Sequence, residues 1–231
     1  PAITALAAGN RVMLKPSELT PHTSAQLALL VAQFFSPEEF CVVQGDANVA
    51  ALVASLPFDH LVFTGSTAVG RKVAQAAAQH LTPTTLELGG KSPCIIDGHC
   101  DMQDAALKIA HGKLLNGGQT CIAPDYVLLP RGREGEFAQA YRAAVVRLFP
   151  TIEGNADYAS IITPRHHARL RTMLQQAQTQ GAEVHTIDPT EGRPVAHTVG
   201  TLGDGASRQM LPTLVFGATS QMQLMQEEIF G

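Results

Sequence analysis

Residues 60–93 read HLVFTGSTAVGRKVAQAAAQHLTPTTLELGGKSP, and this stretch decides the fold. Its first four residues predict a short apolar strand, residues 66–80 predict a helix, and residues 84–88 predict a second strand. Strands that alternate with helices in this way run parallel, because the helix carries the chain back across the face of the sheet. The glycine pair at 89–90 then breaks the pattern, and we place a domain boundary there.

The same unit of a strand followed by a helix occurs twice before this stretch. Residues 11–15 and 40–44 have the character of apolar strands, and residues 21–35 and 48–55 follow them with apolar residues at helical spacing. Repeated alternation of this kind predicts an α/β domain with a doubly wound, Rossmann-like parallel sheet and helices on both faces. We assign this domain to residues 1–88.

The rest of the chain, residues 89–231, predicts a second α/β domain. Its predicted strands are 94–97, 126–129, 184–187 and 211–215, and its predicted helices are 102–115, 134–148 and 165–180. Asp101 is the predicted N-cap of the first of these helices, since its carboxylate can accept hydrogen bonds from the first turn. We expect residues 126–129 to be buried, and we expect residues 188–205, rich in Pro, Gly, Thr and Asp, to form a surface loop.

The stretch NGGQTC at 116–121 carries the strongest chemical signal. Read alone, Cys121 would be structural, because free cysteine is among the most buried residue types. The glycines before it and Pro124 after it instead describe a turn that exposes the sulfur, as a reactive thiol requires. Glu87 offers a carboxylate beside the Gly-Gly turn, so that a nucleophile and a general base are both present.

Five motifs resemble those of the aldehyde dehydrogenase superfamily and occur in the same order along almost the whole chain. They are LKPSE at 14–18, FTGST at 63–67, ELGGKSP at 87–93, GQTC at 118–121 and EEIFG at 227–231. The continuation CIAPDY at 121–126 is most similar to the branch that contains coniferyl aldehyde dehydrogenases and the class 3 fatty and aromatic aldehyde dehydrogenases.

This resemblance implies oxidation of a small-molecule aldehyde to a carboxylic acid, with hydride transfer to NAD(P). Cys121 would add to the carbonyl to give a thiohemiacetal and then a thioester, and Glu87 would activate the water that hydrolyses the thioester. Residues 1–88 would be the C-terminal part of the cofactor-binding domain, and residues 89–231 the N-terminal part of the catalytic domain. The family also implies that the parent protein is a homo-oligomer, with a dimer favoured.

The resemblance also implies which residues bind the cofactor. These are Lys15, Ser17, Glu18, Gly65, Ser66, Glu228 and Phe230. The usual GxGxxG fingerprint is absent, and a Gly-Ser helix start such as that at Ser66 is by itself more often simple capping. A pyrophosphate nevertheless fits a helix start where backbone N–H groups and a hydroxyl meet. In the family, the residues matching Lys15 and Glu18 hold the adenosine ribose, and Glu228 matches the contact to the nicotinamide ribose.

The nature of Glu18 predicts a preference for NAD over NADP. A carboxylate accepts hydrogen bonds from a ribose 2′-hydroxyl and repels a 2′-phosphate. Lys15 lies three residues away and would offset part of that repulsion, so we keep NADP as an alternative cofactor. Without the family context, both residues could simply be solvated loop charges.

Composition excludes several other classes of function. With 16 Lys and Arg against 20 Asp and Glu, a formal net charge of −4 and no basic run, we expect no nucleic-acid partner. No apolar run is long enough to cross a bilayer, and we expect no membrane partner. The four cysteines lack metal-ligand spacing, and the neighbouring His166 and His167 do not face one site, so we expect no metal. Reduced thiols favour a cytoplasmic protein.

Both ends of the sequence fall inside the family's pattern, so we expect a fragment in which both domains are incomplete. The asparagine with which the family stabilises the oxyanion would lie outside this sequence, and the isolated fragment would be inactive. We also expect poor order around Glu228, near the end of the chain. Two alternatives stay open: a CoA-acylating aldehyde dehydrogenase, against which Glu87 argues, and a nucleotide-binding fragment without activity. The sequence does not identify the aldehyde.

Overall fold

The computed structural model describes residues 1–190 and 207–231, together with the backbone of residues 194–196. The chain divides into two compact units, Pro1–Leu88 and Gly89–Gly231. The division falls directly before the Gly-Gly pair at 89–90.

The first unit alternates helices and strands throughout. Its elements are α1 (Ala2–Ala7), β1 (Val12–Leu14), α2 (Pro21–Phe34), β2 (Phe40–Val42), α3 (Ala47–Ala54), β3 (Leu61–Thr64), α4 (Thr67–Ala78) and β4 (Thr84–Glu87). Every strand and helix predicted for residues 11–88 is present, and no end differs from the prediction by more than two residues. The predicted α/β class is therefore confirmed for this unit.

The paired strands of the first unit run parallel, as predicted. β1 pairs with β2, with Met13 opposite Cys41, and β3 pairs with β4, with Thr64 opposite Glu87. Among the described residues these are two separate two-stranded ladders, whereas the sequence predicted one sheet. The alternation of strands and helices predicts the direction of each strand, but it does not identify which strands are neighbours.

Polar caps fix the start of two helices in the first unit. The Asp46 carboxylate accepts hydrogen bonds from the backbone N–H groups of Val49 at 3.2 Å and Asn48 at 2.9 Å, and these bonds lower the pKa of Asp46. The Ser66 hydroxyl accepts a hydrogen bond from the backbone N–H of Val69 at 3.4 Å. Each cap sets the residue at which the chain leaves a strand connection and enters a helix.

The second unit is also α/β. Its elements are β5 (Ser92–Ile95), α5 (Met102–Leu114), β6 (Pro124–Leu128), α6 (Glu134–Leu148), α7 (Pro164–Thr179), β7 (Glu183–Ile187), β8 (Pro194–Ala196), β9 (Thr213–Phe216) and α8 (Gln223–Gln226). Asp101 caps α5 as predicted, because its carboxylate accepts a hydrogen bond from the backbone N–H of Asp104 at 2.9 Å.

Strand pairing in the second unit is mixed. β5 and β6 are parallel, whereas β7 pairs antiparallel with both β8 and β9. The prediction of a loop over 188–205 is wrong at β8, and residues 191–193 and 197–205 of that segment lie outside the described residues. A three-residue edge strand that begins with proline is too short to show a periodic pattern. The strand predicted to be buried at 126–129 is only half-buried, and Leu128 is 51% exposed.

Helices α5 and α6 form the centre of the second unit's core. The alanines that they contribute, Ala106, Ala110, Ala140 and Ala144, are at most 5% exposed. Such small side chains allow close packing of two helices. Leu114, the last residue of α5, belongs to the same cluster. The core therefore anchors the end of α5 from which the chain runs on to Cys121.

Two absences hold for the part of the chain that the structure describes. No helix there is long and apolar enough to cross a membrane. No group of three or more His, Cys, Asp or Glu side chains is placed there to hold a metal ion.

Candidate active site

A tight turn connects α5 to Cys121. Residues Leu115–Gly118 form a 3₁₀ turn, in which Asn116 and the two glycines that follow have positive φ angles of 53°, 60° and 77°. Asparagine and glycine tolerate this left-handed region better than other residues do. Gly118 is also required by space, because a Cβ there would lie 2.6 Å from the backbone carbonyl carbon of Gly231.

The buried side chain of Gln119 locks this turn. Its amide nitrogen donates to the backbone oxygens of Asn116 at 2.9 Å and Ser160 at 3.1 Å, and its amide oxygen accepts from the N–H of Ile162 at 2.8 Å. The Asn116 side chain in turn donates to the backbone oxygen of Gln119 at 3.1 Å. The sequence pointed to a turn, but it did not show that Gln119 ties the turn to residues some 40 positions further along.

Cys121 follows this turn and is exposed, whereas Cys41, Cys94 and Cys100 are partly buried. Burial raises the pKa of the Cys94 thiol, which keeps that thiol in its unreactive protonated form. The backbone N–H of Cys121 donates no hydrogen bond to the described part of the chain. A rigid turn therefore presents both an accessible thiol and a free N–H group.

Glu87, the predicted base, closes the first unit. It is the last residue of β4, its side chain is exposed, and its backbone oxygen accepts a hydrogen bond from the N–H of Gly65 at 3.0 Å. That bond joins the predicted base to the predicted phosphate-binding turn through the backbone. Cys121, the predicted nucleophile, belongs to the second unit.

Lys15 and Glu18 form an ion pair just after β1. Lys15 Nζ lies 3.0 Å from Glu18 Oε2, and the side chains are 10% and 44% exposed. A bond from its own backbone N–H and the bond from Lys15 lower the pKa of Glu18. Glu18 is therefore an anion near neutral pH, with part of its charge offset by the lysine.

The two serines of the predicted cofactor site have local roles in the structure. Ser17 Oγ accepts from the backbone N–H of Leu19 at 3.2 Å. Ser66 is the N-cap of α4, which is the simple capping role that such a helix start usually has. Gly65 before it is exposed. Capping does not conflict with anion binding, since the remaining N–H groups of the first helical turn still point outward.

Glu228 lies directly against the Gly-Gly turn. A Cβ built on Gly89 would be 1.9 Å from Glu228 Oε2, so only glycine permits this approach. Glu228 Oε1 is buried and has no hydrogen-bond partner in the described residues. An unpaired buried carboxylate oxygen is costly, which makes it a strong acceptor for any hydroxyl that reaches it.

The segment that contains Glu228 is hydrogen-bonded to α7 in the structure, although we expected poor order there. The backbone oxygens of Glu228, Ile229 and Phe230 all accept hydrogen bonds from side chains of α7. Proximity to the end of the sequence did not reveal these bonds, because they connect positions about 60 residues apart.

A buried ion pair connects three segments of the second unit. Lys91 Nζ donates to the Asp125 carboxylate and to the backbone oxygen of Leu224. The Lys91 and Asp125 side chains are 21% and 5% exposed. Lys91 follows the Gly-Gly turn, Asp125 follows Cys121 by four residues, and Leu224 lies in α8. Sequence reasoning did not single out Lys91 or Asp125.

A second lysine is placed near the same carboxylate. Lys113 and Asp125 both line a largely apolar cavity of about 500 Å³ within the second unit. Burial lowers the pKa of Lys113 to about 8, and the charge of Lys91 acts in the same direction, whereas Asp125 opposes it. Asp125 is therefore the anion that balances two cations.

Replacing Asp125 with asparagine should destabilise the protein strongly. The amide keeps the size of the side chain but leaves Lys91 and Lys113 without their anion in a largely desolvated place. Breaking a buried ion pair from one side typically costs about 3 kcal/mol. The shift in the thermal or denaturant midpoint of unfolding measures the effect.

The matched control is Asp104→Asn. Asp104 pairs with Lys108 at 2.7 Å, but both side chains are more than half exposed. Exposed ion pairs contribute little, so the control should move the midpoint only slightly. Equal midpoint shifts in the two variants would show that Asp125 contributes no more to the free energy of unfolding than an exposed ion-pair residue does.

The α/β fold and the thiol presented by a glycine turn are those of aldehyde dehydrogenases as a class. A sequence profile of the Aldehyde dehydrogenase family matches residues 1–231, so the chain belongs to this family. The family predicted from the five motifs is confirmed.

Individual relatives agree with the predicted branch. The chain is 47% identical over 225 residues to the coniferyl aldehyde dehydrogenase of Pseudomonas sp., covering 97% of this chain and 45% of the relative. It is 40% identical over 232 residues to aldehyde dehydrogenase family 3 member A2 of Mus musculus, covering 100% of this chain and 44% of the relative. The chain thus spans just under half the length of these curated relatives.

Solved structures of the family have the same fold. The substrate-bound AldH of Staphylococcus aureus superposes with a TM-score of 0.85 at 36% identity, covering 99% of this chain and 47% of that one. A mutant aldehyde dehydrogenase C of Pseudomonas syringae, in complex with NAD+ and octanal, gives a TM-score of 0.85 at 29% identity, covering 100% and 47%. The predicted α/β fold with a Rossmann-like first domain is confirmed.

Proposed function

We propose that the whole protein that carries this chain oxidises an aldehyde to a carboxylic acid with NAD(P), through a covalent intermediate on Cys121. The observation that carries this proposal is the exposed thiol at the end of a turn locked by Gln119, in a chain that the family profile matches throughout. A reactive cysteine needs access and a fixed position, and this turn supplies both.

Cys121 performs the covalent chemistry in this proposal. Its thiolate bonds to the aldehyde carbon, and the carbonyl oxygen becomes an oxyanion that the free backbone N–H of Cys121 stabilises. A bound nicotinamide cofactor supplies the hydride acceptor for the oxidation. Cys121 then holds the acyl group as a thioester, and the thiolate leaves again on hydrolysis.

Glu87 acts as the general base of hydrolysis. Its carboxylate takes a proton from water, the resulting hydroxide adds to the thioester carbon, and the carbon–sulfur bond breaks to release the acid. The presence of this base favours water over CoA as the acyl acceptor. Turnover without CoA, and no faster with it, is the expected result for the whole enzyme.

The residues present fit a dinucleotide. In the first unit, Lys15, Ser17, Glu18, Gly65 and Ser66 would hold the adenosine half, with the outward N–H groups of α4 near its start available to the phosphates. In the second unit, Glu228 and Phe230 would hold the nicotinamide ribose. The orphaned Glu228 Oε1 supports this assignment, because a ribose hydroxyl would satisfy it.

The cofactor preference follows from Glu18, which we infer favours NAD while allowing NADP. One relative, from Canis lupus familiaris, bears the name dimeric NADP-preferring aldehyde dehydrogenase, at 38% identity. Replacing Glu18 with glutamine should narrow the ratio of kcat/KM for NAD over NADP by about tenfold, because it removes the charge that repels a 2′-phosphate.

Specificity constants for both cofactors measure this change. The exposed Glu38 offers a control, since Glu38→Gln removes the same charge from the same unit. The control should leave the ratio as it was. An unchanged ratio of kcat/KM for NAD over NADP in the Glu18 variant would show that this carboxylate does not contact the ribose.

An aromatic aldehyde is the substrate class that we propose, on the basis of the similarity to coniferyl aldehyde dehydrogenases. The whole enzyme would be assayed against a panel of aromatic, long-chain and short aldehydes with each cofactor. The highest kcat/KM should belong to an aromatic aldehyde. Absence of aldehyde-dependent cofactor reduction across the panel would refute the proposed activity as a whole.

Assembly and location complete the proposal. A relative named as dimeric supports a homodimer, which light scattering on the whole protein tests directly. The four cysteines are unpaired, which supports a reducing compartment such as the cytoplasm. Cell fractionation tests the location, and recovery in an oxidising compartment would contradict it.

A further inference from the structure

Two side chains of α7 bind three consecutive backbone oxygens in the EEIFG motif. Arg169 Nη1 donates to the oxygen of Glu228 at 3.1 Å, and Arg169 Nη2 donates to that of Ile229. One turn earlier on α7, His166 Nε2 bonds to the oxygen of Phe230 at 2.6 Å. Hydrogen bonds from a guanidinium are charge-assisted and directional, so this arrangement fixes the path of the backbone.

The two side chains also orient each other. Arg169 Nε donates to His166 Nδ1 at 3.3 Å, so that Nδ1 is an acceptor and the proton lies on Nε2, facing the oxygen of Phe230. Burial lowers the pKa of His166, which favours this neutral form. Arg169 Nη1 additionally contacts the sulfur of Met173 at 3.2 Å on the next turn of the helix. The arginine is thus held at several points.

The backbone that these side chains hold is in a disfavoured conformation. Phe230 has a φ of 54°, in the left-handed region that a bulky residue rarely adopts. Its ring packs edge-on against the His166 ring, with centroids 6.0 Å apart. Such a conformation persists only where surrounding contacts enforce it, and here α7 supplies those contacts.

These bonds fix the residue that carries the Glu228 carboxylate. The backbone oxygen of Glu228 accepts a hydrogen bond from Arg169, while the Glu228 side chain lies against Gly89 and its Oε1 has no hydrogen-bond partner among the described residues. Among the described residues, Arg169 forms no salt bridge with this carboxylate. The carboxylate that lies within 4.0 Å of the guanidinium is the exposed one of Glu227. The arginine therefore holds the backbone of Glu228 without forming a salt bridge to its carboxylate, and Oε1 keeps its capacity to accept a hydrogen bond from a hydroxyl.

We propose that Arg169, supported by His166, is a positioning residue that holds Glu228 for the nicotinamide ribose of the cofactor. This inference rests on the proposed function, since it takes Glu228 as a ribose contact. In this proposal Arg169 acts through Glu228 on the nicotinamide half alone, and the residues proposed for the adenosine half belong to the first unit.

The test measures binding by calorimetry in the whole enzyme carrying Arg169→Gln. Affinity for NAD should fall about tenfold, as expected for the loss of charge-assisted bonds that position a ligand contact. Affinity for AMP, which lacks the nicotinamide half, should not change. Arg171→Gln is the matched control, because Arg171 lies on the same helix but is exposed, and it should leave both affinities unchanged.

A double-mutant cycle shows whether the arginine acts through Glu228. Glu228→Gln should weaken NAD binding by itself, and adding Arg169→Gln should weaken it little further, because the contact is already lost. Hydrogen exchange at the amides of residues 229–231 should be faster in the Arg169 variant than in the parent. Fully additive losses, or an equal loss of AMP affinity, would overturn the inference.

A second variant covers the case in which Arg169→Gln does not fold. Arg169→Lys keeps the positive charge but loses the planar fork that binds two oxygens, so it should lose NAD affinity while AMP affinity stays constant. Parental NAD affinity in the lysine variant would refute the positioning role. A parent enzyme that neither binds NAD nor reduces it with aldehydes would instead refute the proposed function.

Discussion

Replacing Cys121 with serine should abolish aldehyde oxidation by the whole enzyme, lowering kcat by at least about a thousandfold. A hydroxyl is a far weaker acid than a thiol, so almost no serine would be ionised to add to the carbonyl. An oxygen ester is also a poorer intermediate, because an alkoxide leaves less readily than a thiolate. Steady-state formation of reduced cofactor measures the loss.

The control for this substitution is Cys94→Ser. Cys94 lies in β5, is partly buried, and has a raised pKa, so it should contribute nothing to the chemistry. Limited iodoacetamide labelling with peptide mapping gives an independent check, since Cys121 should be modified first of the four thiols. Preferential labelling of Cys94, or retained activity in the Cys121 variant, would contradict the assignment.

The fold was predictable because its signals are local. Each strand and helix of the first unit has a hydrophobic periodicity of its own in the sequence. Gly89 and Gly90 mark the change to the second unit. The position of β8 and the antiparallel partners of β7 were not predictable in this way. Strand neighbours depend on the packing of distant segments, which hydrophobic periodicity does not describe.

Prediction of the candidate site from the sequence was limited in the same way, because local patterns do not show long-range contacts. The motifs predict Cys121, Glu87 and the cofactor residues as site residues, and these assignments stay predictions. The side chains that hold the surrounding turns bind partners far along the chain. Gln119 reaches residues 160 and 162, and Lys91 reaches Asp125 and α8. Nothing in the local sequence distinguishes these residues from ordinary polar ones, so only the structure reveals them.

Two glycines are an exception, because the sequence alone suggested their structural role. Gly89 and Gly118 suggested tight turns in the sequence, and the structure shows the atoms that a side chain at each position would meet. At Gly89 these are the carboxylate atoms of Glu228, and at Gly118 they are the backbone atoms of Gly231. The two glycines therefore connect both chemical motifs to the EEIFG motif, which gives a steric reason for the motifs to occur together.

Replacing Glu87 with glutamine should separate acylation from hydrolysis. In the proposed mechanism, Cys121 needs no help from Glu87 to form the thioester, whereas water needs the carboxylate to lose its proton. Steady-state kcat should fall about 10²- to 10⁴-fold, the usual contribution of a general base. A rapid burst of reduced cofactor, close to one per active site, should nevertheless precede the slow phase.

Rapid-mixing absorbance measurements on the whole enzyme resolve the burst. Glu153→Gln is the control, because Glu153 is exposed and should give parental kinetics. Hydroxylamine provides a further diagnostic, since it attacks a thioester without a general base and should accelerate the slow phase of the Glu87 variant alone. A Glu87 variant without a burst would show that Glu87 is needed for acylation or an earlier step. A Glu87 variant with the parental rate would show that hydrolysis uses a different base. A burst that hydroxylamine relieves is expected only if the acyl group is held on sulfur and Glu87 serves the water that removes it.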